Sequence, residues 1–523
     1  MTKRQITLMD TTLRDGEQTQ GVSFSPQEKL NIAKALLSSL RVDRIEVASA
    51  GVSSGEKGAV REINEWANEN GFGHAVEVLG FVDHKRSVDW ILAAGGQVIN
   101  LLTKGSEKHC RNQLGKSLAE HLEGIRETIA YAKESGLRVN VYLEDWSNGY
   151  VDSRDYVFGL MDELKQLDID HYMLPDTLGV MAPEEVHDSL KDMIDRYSEC
   201  HFDFHPHNDY GLAIANVMSA VKAGVTSVHC TINCLGERAG NVSLAEVVVV
   251  LRDKLDIGTS IDESKIFRVS EMVEIFSGKW IAANTPVVGA DVFTQTAGIH
   301  ADGDQKGGLY ETRLSPERFS RQRSYALGKL AGKASLAKNL EALGITLSAE
   351  DQEKVLRRIV SMGDSKQSMS LDDLPFIIAD VMESAEFQFV KMIDCVVSSS
   401  LNGEASQSNA DVVLSVDGEE CRGKGVGNGG FDAFIKAANE IMARKQDYQI
   451  PKLVDYEVRI PKGGRTDALT ECIITWQVSN AKTMRTRGVH SNQVFAAMQA
   501  TLRIINIQLS EKQKLADLTT PAA

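Results

Sequence analysis

The feature that most constrains the fold is a regular alternation of two hydrophobic periods over the first 250 residues. Short apolar runs typical of strands alternate with longer stretches that carry the helical period. There are eight such runs: Ile6–Asp10, Arg44–Ser49, Ala75–Val82, Gln97–Thr103, Arg138–Glu144, His171–Thr177, His201–His205 and Ser227–Ile232. Eight strands alternating with helices are the number found in a (β/α)8 barrel, so the pattern predicts an α/β protein with a TIM barrel. An open doubly wound sheet is the alternative, but no glycine fingerprint follows the first strand.

At 523 residues, the chain is about twice as long as a typical TIM barrel. After the barrel pattern, helices and loops continue to about residue 385, and a β-rich pattern then begins. In this last part, two strands followed by a helix occur twice, which indicates an internally duplicated α+β module. We predict a catalytic barrel at 1–265, helical linker subdomains at 266–385, and a C-terminal regulatory domain of two ββα-type repeats at 386–523.

Charge and cysteine usage exclude several classes of protein. The chain has 57 Lys and Arg residues against 73 Asp and Glu, and the net charge of −16 argues against a nucleic-acid binder. The N-terminus lacks the apolar core of a signal peptide, and the purest apolar run, Ala245–Leu251, is too short to span a membrane. The seven cysteines include no CxxC pair, which is typical of buried thiols in a reducing compartment. We therefore expect a cytoplasmic protein with neither a nucleic-acid nor a membrane partner.

Four potential metal ligands lie at the ends of predicted strands, where TIM barrels carry their active sites. Asp15 follows the first strand, His205 and His207 end the seventh, and Asn241 follows the eighth. Residues two apart on a strand point to the same face, so both imidazoles can reach one ion. A carboxylate, two imidazoles and an amide oxygen suit Mn²⁺, Zn²⁺ or Mg²⁺, and the lack of a thiolate argues against a structural zinc. The alternative is that these are ordinary polar residues at a barrel rim.

Other charged residues complete a candidate catalytic set. Arg14, next to the proposed metal, is predicted to bind a substrate carboxylate or a developing alkoxide, and a surface salt bridge is the alternative. Glu144 ends the fifth strand and is a candidate general base, with a structural carboxylate as the alternative. His300 and Tyr310 lie in a glycine-rich stretch after the barrel, and by themselves they would be interpreted as solvated loop residues.

Two longer motifs lie in the barrel part of the sequence: LRDGEQ at Leu13–Gln18, followed by Lys29, and FDFHPHNDYGLA at Phe202–Ala213. Both resemble the signatures of the α-isopropylmalate/homocitrate synthase family. The C-terminal duplicated module resembles the regulatory domain of the leucine-type synthases, and the resemblance covers about residues 5–510. Three residues depart from the family pattern: Gly51 stands where Arg is usual, and Pro206 and Cys234 each stand where Gly is usual.

The resemblance implies a condensation of acetyl-CoA with a 2-oxo acid. It implies that the ligands of a divalent metal are Asp15, His205 and His207, with Asn241 as a further ligand. Arg14 is expected to polarise the keto group while Thr177 helps to hold the carboxylate of the 2-oxo acid. The residues implied in deprotonating acetyl-CoA or steering the proton are Glu144, His300 and Tyr310. In the family, the residue equivalent to His300 comes from the partner subunit, which implies an obligate homodimer.

Within the family, the chain is most similar to members that use pyruvate and open a route to isoleucine. By resemblance, the side chain of the 2-oxo acid contacts Leu79, Leu102 and Tyr142, which leave room for a methyl group but crowd an isopropyl group. The resemblance also implies feedback by isoleucine, through an effector pocket lined by Phe431, Asp432, Leu453, Tyr456 and Ile460.

Three alternatives stay open. A synthase that uses 2-oxoisovalerate in leucine biosynthesis would share the whole architecture. A lyase of the hydroxymethylglutaryl-CoA type would share the barrel and the metal site but should lack the C-terminal module. A catalytically silent amino-acid sensor would keep that module and lose the metal ligands, which are all present here.

Overall fold

The structure is a computed structural model that describes residues 4–296, 309, 311–343, 345–364, 374, 377–378, 381, 389–402, 405–446, 448–459, 470–479 and 482–519. These residues form two compact units. The first unit takes the described residues up to 293 together with 311–323, and the second takes those from 294 to 310 and from 324 onwards. The three-part division at 265 and 385 stays a prediction.

The first unit contains a closed barrel of eight parallel strands, and the predicted TIM barrel is confirmed. The strands are β1 Thr7–Asp10, β2 Arg44–Ser49, β3 Val76–Phe81, β4 Val98–Lys104, β5 Arg138–Glu144, β6 Tyr172–Asp176, β7 Phe202–Pro206 and β8 Ser227–Cys230. The barrel closes through β1 and β8, where Leu8 lies opposite Val228. This closure brings the carboxyl ends of all eight strands to one rim.

Helices follow the strands and cover the outside of the barrel. They are α1 Pro26–Lys34, α2 Ser54–Glu69, α3 Arg86–Ala93, α4 Glu107–Leu114, α5 Leu118–Glu134, α6 Trp146–Asp152, α7 Arg154–Leu164, α8 Pro183–Arg196, α9 Ala213–Ala223, α10 Leu244–Leu255 and α11 Ile266–Ser277. Local sequence explains where several begin: Ser25 and Glu28 form a capping box at α1, and Ser117 and Glu120 form another at α5. In the part of the chain that the structure describes, no helix has the length and apolar character needed to cross a membrane.

The two faces of the barrel strands have different surroundings. Residues such as Leu8 and Val228 point outward and pack with the helices in one large apolar core. The interior instead holds a small separate apolar cluster, composed of Met9, Leu79, Tyr142 and Met173 with Leu102 packed against it. Buried polar residues share this interior, among them Glu46, Glu77, Asn100, Asn140, Asp203 and His229. The interior is therefore where a site can be built.

The described part of the segment after α11 combines loops with short elements, and its assignment as helical linker subdomains stays a prediction. Its elements are the short parallel strands β9 Thr294–Gln295 and β10 Ser324–Tyr325, the 3-10 helix Pro316–Phe319, and the α-helices Lys333–Leu343 and Ala349–Asp364. The two helices share a small apolar core that includes Leu336, Leu340, Val355 and Ile359.

The C-terminal module is duplicated, as predicted, but each repeat has three strands before its helix rather than two. The first repeat comprises β11 Val390–Asn402, β12 Ala405–Val416, β13 Glu419–Gly427 and the helix Gly430–Gln446. The second comprises β14 Lys452–Arg459, β15 Thr470–Ser479, β16 Lys482–His490 and the helix Gln493–Thr519. Each repeat folds as a three-stranded antiparallel sheet.

Sequence patterning missed β13 because its buried face is made largely of glycines. Gly423, Gly425 and Gly427 lie on the side of the strand that faces the following helix. A Cβ atom on Gly425 would stand 2.0 Å from the carbonyl oxygen of Ala433, so no side chain fits there. In the sequence, β13 therefore alternates glycine with mostly polar residues, and this pattern does not have the apolar alternation that predicts a strand.

Candidate active site

Three predicted metal ligands converge at the carboxyl-end rim of the barrel. Asp15 lies in the turn after β1, and its Oδ2 is 3.0 Å from Nε2 of His205 and 3.7 Å from Nε2 of His207. The two imidazole Nε2 atoms are 3.4 Å apart. All three side chains are buried, and their ligand atoms lie within 4.8 Å of one another. Residues about 190 positions apart in the chain thus meet because the barrel brings the ends of β1 and β7 to one rim.

Asn241 is the fourth predicted ligand, and it joins the same group. Its amide Nδ2 lies 2.9 Å from Oδ2 of Asp15 and 3.2 Å from Nε2 of His205. Its Oδ1 is buried and has no hydrogen-bond partner among the described residues. Rotation of the amide exchanges its two ends, so the same side chain can present an oxygen to a cation.

The chemistry of this group fits a divalent metal. Burial lowers the pKa of His207 to about 4, so its imidazole is neutral and keeps a lone pair at neutral pH. Burial would raise the pKa of Asp15, but Arg14 and His205 outweigh this effect and hold it well below its usual range. One carboxylate and two imidazoles that face each other are the donor set of N/O-preferring divalent ions.

Arg14 contacts both the metal-ligand group and the barrel interior. Its Nε donates to Oε2 of Glu46 at 2.5 Å, and its guanidinium lies 3.5 Å from Oδ1 of Asp15 and 3.4 Å from the hydroxyl of Tyr142. Burial alone would lower the pKa of Arg14, but Glu46 and Asp15 raise it above its ordinary value. Arg14 therefore forms buried ion pairs rather than the surface salt bridge considered as the alternative.

The turn that carries Arg14 and Asp15 is fixed by Lys29 of α1. The ammonium of Lys29 is almost fully buried, forms ion pairs with Glu17 and Glu56, and lies 3.5 Å from the carbonyl oxygen of Leu13. The contact between Lys29 and the carbonyl oxygen of Leu13 gives a structural reason for a lysine at this position after the LRDG motif.

The candidate base Glu144 ends β5 and pairs with a residue that sequence reasoning missed. Its carboxylate forms an ion pair with Lys104, which ends the neighbouring strand β4. Thr177 follows β6, and its hydroxyl accepts a hydrogen bond at 2.9 Å from the backbone N–H of Asp145. Glu144 and Thr177 thus lie at adjacent strand ends of the same rim.

The predicted pocket residues form one apolar cluster inside the barrel. Leu79, Leu102 and Tyr142 pack together with Met9 and Met173, two further members that the sequence did not single out. Both lie on the inward face of a strand that is apolar on both faces, so hydrophobic periodicity did not separate them from the outward-facing residues.

Other missed residues lie deeper in the barrel. His229 on β8 places Nδ1 3.2 Å from Nδ1 of His205, and its Nε2 is 3.1 Å from Oδ2 of Asp203. Burial lowers the pKa of His229 to about 3. Arg44 and His171 overcome the effect of burial on Asp203 and hold its pKa well below the usual range. The sequence signal that could have indicated these residues is a charged or imidazole side chain within an otherwise apolar strand, as in RIEVAS and SVHCTI.

Three predicted site residues, His300, Tyr310 and Ile460, lie outside the described residues. The other four effector candidates are described. The rings of Phe431 and Tyr456 contact each other with centroids 5.4 Å apart. Asp432 instead accepts hydrogen bonds from Lys436 at 2.9 Å and from the backbone of Asn428. Leu453 lies partly exposed on β14, paired with β15.

Two of the departures from the family pattern have a backbone context. Cys234 has φ of 57°, the left-handed region that glycine adopts without strain, which explains why Gly is usual there. Gly51 has φ of 81°, and a Cβ atom on it would lie 3.9 Å from the guanidinium of Arg86.

Family models match almost the whole chain. Residues 5–273 match the model described as HMGL-like. Residues 287–367 match the one described as homocitrate synthase post-HMGL domain-like, and residues 368–509 match the LeuA allosteric (dimerisation) domain.

Full-length relatives agree with these matches. The (R)-citramalate synthase CimA of Methanocaldococcus jannaschii is 32% identical over 508 residues, which are 97% of this chain and 100% of that protein. The 2-isopropylmalate synthase of the same organism is 31% identical over 517 residues, which are 98% of this chain and 96% of that protein. The resemblance drawn from the two sequence motifs is confirmed.

Proposed function

The chain belongs to the HMGL-like family, and from this premise we propose that it condenses acetyl-CoA with pyruvate to give (R)-citramalate and CoA. It is an enzyme of the condensing, acyl-transferring type. The observation that carries the proposal is the buried group of Asp15, His205 and His207 next to Arg14, in the same barrel as a small interior apolar cluster.

The first task of the site is to make the keto carbon of pyruvate electrophilic. A divalent cation held by Asp15, His205, His207 and Asn241 would supply Lewis acidity toward the keto oxygen. Arg14 donates N–H groups toward the same oxygen and stabilises the negative charge that grows there during attack. Because Glu46 and Asp15 fix the guanidinium, Arg14 does not need to reorient as the charge develops. Thr177 holds the carboxylate of the 2-oxo acid.

The second task is to remove a proton from the methyl group of acetyl-CoA, which is a weak carbon acid. Glu144 accepts this proton, and Lys104 beside it keeps the carboxylate in place. The carbanion then attacks the keto carbon of pyruvate and forms the new C–C bond, and the resulting alkoxide takes up a proton. Water next attacks the thioester of citramalyl-CoA, the C–S bond breaks, and CoA leaves as a thiol. His300 and Tyr310 are proposed to steer the protons.

The choice of 2-oxo acid is proposed to depend on Leu79, Leu102 and Tyr142. These side chains are closely packed with Met9 and Met173, so the space beside the keto group suits a methyl substituent. The alternative substrate is 2-oxoisovalerate, which would make the protein a 2-isopropylmalate synthase; the relative of that name, equally similar over the whole chain, supports it.

The C-terminal module is proposed to bind isoleucine and to inhibit the enzyme as the end product of its pathway. The match to an allosteric (dimerisation) domain and the contact between Phe431 and Tyr456 support an effector role for this module. We further propose a homodimer in which His300 reaches the site of the partner subunit.

A thiol-release assay tests the proposal. Purified enzyme is incubated with acetyl-CoA and with pyruvate, 2-oxobutanoate, 2-oxoisovalerate or 2-oxoglutarate, and free CoA is followed with a chromogenic disulfide. We expect the highest kcat/KM with pyruvate, loss of activity with EDTA and recovery with Mn²⁺. A higher kcat/KM with 2-oxoisovalerate would favour the leucine-pathway alternative, and activity resistant to EDTA would contradict the metal centre.

A further inference from the structure

We propose that His229 is a positioning residue that holds His205 in the tautomer that a metal ligand needs. The inference rests on the proposed metal centre but not on the identity of the 2-oxo acid. His229 is fully buried on β8, beside β7, and its ring stands nearly perpendicular to that of His205 with centroids 5.3 Å apart.

As a metal ligand, His205 has to donate from Nδ1. Its Nε2 lies 3.0 Å from Oδ2 of Asp15 within the metal-ligand group, and this nitrogen must carry a lone pair whenever it binds a metal. A neutral imidazole has one donor and one acceptor nitrogen, so the hydrogen of His205 must be on Nδ1. That nitrogen lies 3.2 Å from Nδ1 of His229, which must then be the acceptor.

Asp203 makes His229 an acceptor at that atom. Nε2 of His229 is 3.1 Å from Oδ2 of Asp203, and an ionised carboxylate can only accept, so the hydrogen of His229 is on Nε2. Asp203 is kept ionised by Arg44 at 2.7 Å and by His171 at 2.8 Å. The hydroxyl of Tyr142 lies 3.1 Å from Nδ1 of His229 and can donate to the same bare nitrogen. Asp203 therefore favours one tautomer of His229, and through it one tautomer of His205.

The other imidazole of the metal group has no such support. Nδ1 of His207 is buried without a hydrogen-bond partner among the described residues. The chain Asp203–His229–His205 thus orients one of the two imidazole ligands. In metal sites, partners of this kind fix the ring and its tautomer, and their loss typically costs about 10–100-fold in metal affinity.

The experiment measures Mn²⁺ binding by metal-free enzyme without substrates, from the electron paramagnetic resonance signal of free Mn²⁺. His229→Met replaces the ring with an apolar side chain of similar length and should raise the Kd for Mn²⁺ by about 10–100-fold. His229→Gln keeps one acceptor and one donor and should stay within about threefold of the wild type. His171→Met is the matched control, because His171 also contacts Asp203 but does not contact His205. Arg44 still holds Asp203 ionised in this variant, so the Kd should stay within about threefold of the wild type.

Several results would overturn the inference. It fails if His229→Met binds Mn²⁺ as tightly as the wild type, if His229→Gln loses as much affinity as His229→Met, or if His171→Met loses as much as either. If the wild type itself does not bind Mn²⁺, the metal centre fails and the inference with it. Melting temperatures of the metal-free variants separate loss of affinity from loss of folding.

A measurement without variants covers the case in which His229→Met does not fold. Neutron crystallography of the Mn²⁺-loaded wild type in D2O should show deuterium on Nδ1 of His205 and on Nε2 of His229. Deuterium on Nδ1 of His229 would overturn the inference.

Discussion

The barrel and the C-terminal module place their candidate binding residues in opposite settings. In the barrel, Asp15 and His205 are buried and the side chain of Arg14 is 11% exposed, and contacts to one another and to Glu46 fix all three. In the C-terminal module, Tyr456 is 37% exposed, and its ring contacts the ring of Phe431. The difference agrees with the two tasks that we propose for them: charges that stabilise a transition state must be fixed in advance, whereas an effector acts by adding contacts to one state of a surface.

The largest effect should come from a change that keeps the shape of the barrel site and removes one charge. Asp15→Asn is nearly isosteric but replaces an anionic ligand by a neutral amide. Loss of metal-assisted charge stabilisation amounts to several kcal/mol, so we expect kcat/KM to fall by about 10³-fold or more. Thiol release at saturating Mn²⁺ measures the rate, and the metal content of the purified protein is determined in parallel.

The matched control is Asp168→Asn, which removes a carboxylate that is 79% exposed and is paired with Lys133. An exposed ion pair contributes little, so its activity should remain near that of the wild type. If Asp15→Asn kept more than a tenth of the wild-type activity, the fixed charges of the barrel would not be its catalytic feature, and the contrast between the two regions would be broken.

The extent to which each region was predictable follows from the same contrast. TIM barrels carry their active sites at the carboxyl ends of the strands, which meet at one rim whatever their separation in sequence. This rule was enough to predict that Asp15, His205, His207 and Asn241 lie together. It does not reach His229, which lies within a strand that is buried on both faces. In such a strand, hydrophobic periodicity does not distinguish the barrel interior from the helix-facing side.

The C-terminal module was less predictable because its packing depends on glycines, which have no apolar side chain, and on contacts between its two repeats. The buried face of β13 carries Gly423, Gly425 and Gly427, which let the following helix approach the backbone and leave no apolar signal. Similarly, Phe431 and Tyr456 come from different repeats, so only the packing of the two repeats brings their rings together.

A smaller effect should follow from enlarging the pocket in the barrel. Leu102→Ala removes an apolar side chain from the cluster with Leu79 and Tyr142 and makes room for an isopropyl group. We expect the ratio of kcat/KM for 2-oxoisovalerate to that for pyruvate to rise by about 10–100-fold. The neighbouring Leu101 points to the helix-facing core, so Leu101→Ala should lower the melting temperature and leave the ratio unchanged. If this ratio changed equally in Leu102→Ala and Leu101→Ala, the interior cluster would not select the substrate.

In the C-terminal module, a comparable truncation should alter regulation alone. Tyr456→Ala removes the ring that contacts Phe431, and we expect the isoleucine concentration for half inhibition to rise by about 10-fold. The rate of Tyr456→Ala without isoleucine is the reference, and it should equal that of the wild type. Val396→Ala truncates an apolar residue on β11 that is 60% exposed, and inhibition should be unaffected. An unchanged response of Tyr456→Ala would place the effector elsewhere, and a lost basal rate would contradict the separation of tasks.

The smallest effect concerns stability, and it compares one carboxylate from each region. Burial raises the pKa of Asp10, at the end of β1, to about 7, and its Oδ2 has no partner among the described residues. Because the folded pKa is the higher one, the unfolded chain ionises first, and stability is lost as pH rises from about 4 to about 7. Asp10→Asn stays neutral, so its melting temperature should match the wild type at pH 4 and exceed it by about 4 °C at pH 8.

Asp432 is the counterpart in the C-terminal module, and its sign is opposite. Its hydrogen bond with Lys436 lowers its pKa, so the ionised form slightly favours the folded state above the unfolded pKa and loses that advantage as pH falls. Because the pair is exposed, Asp432→Asn should shift the melting temperature by less than about 1 °C at either pH. Scanning calorimetry of the metal-free variants at pH 4 and pH 8 measures both. If the melting-temperature shift of Asp10→Asn were the same at pH 4 and pH 8, the carboxyl group of Asp10 would already be ionised in the folded barrel. The buried acid of the barrel and the exposed acid of the C-terminal module would then not differ in their pH dependence.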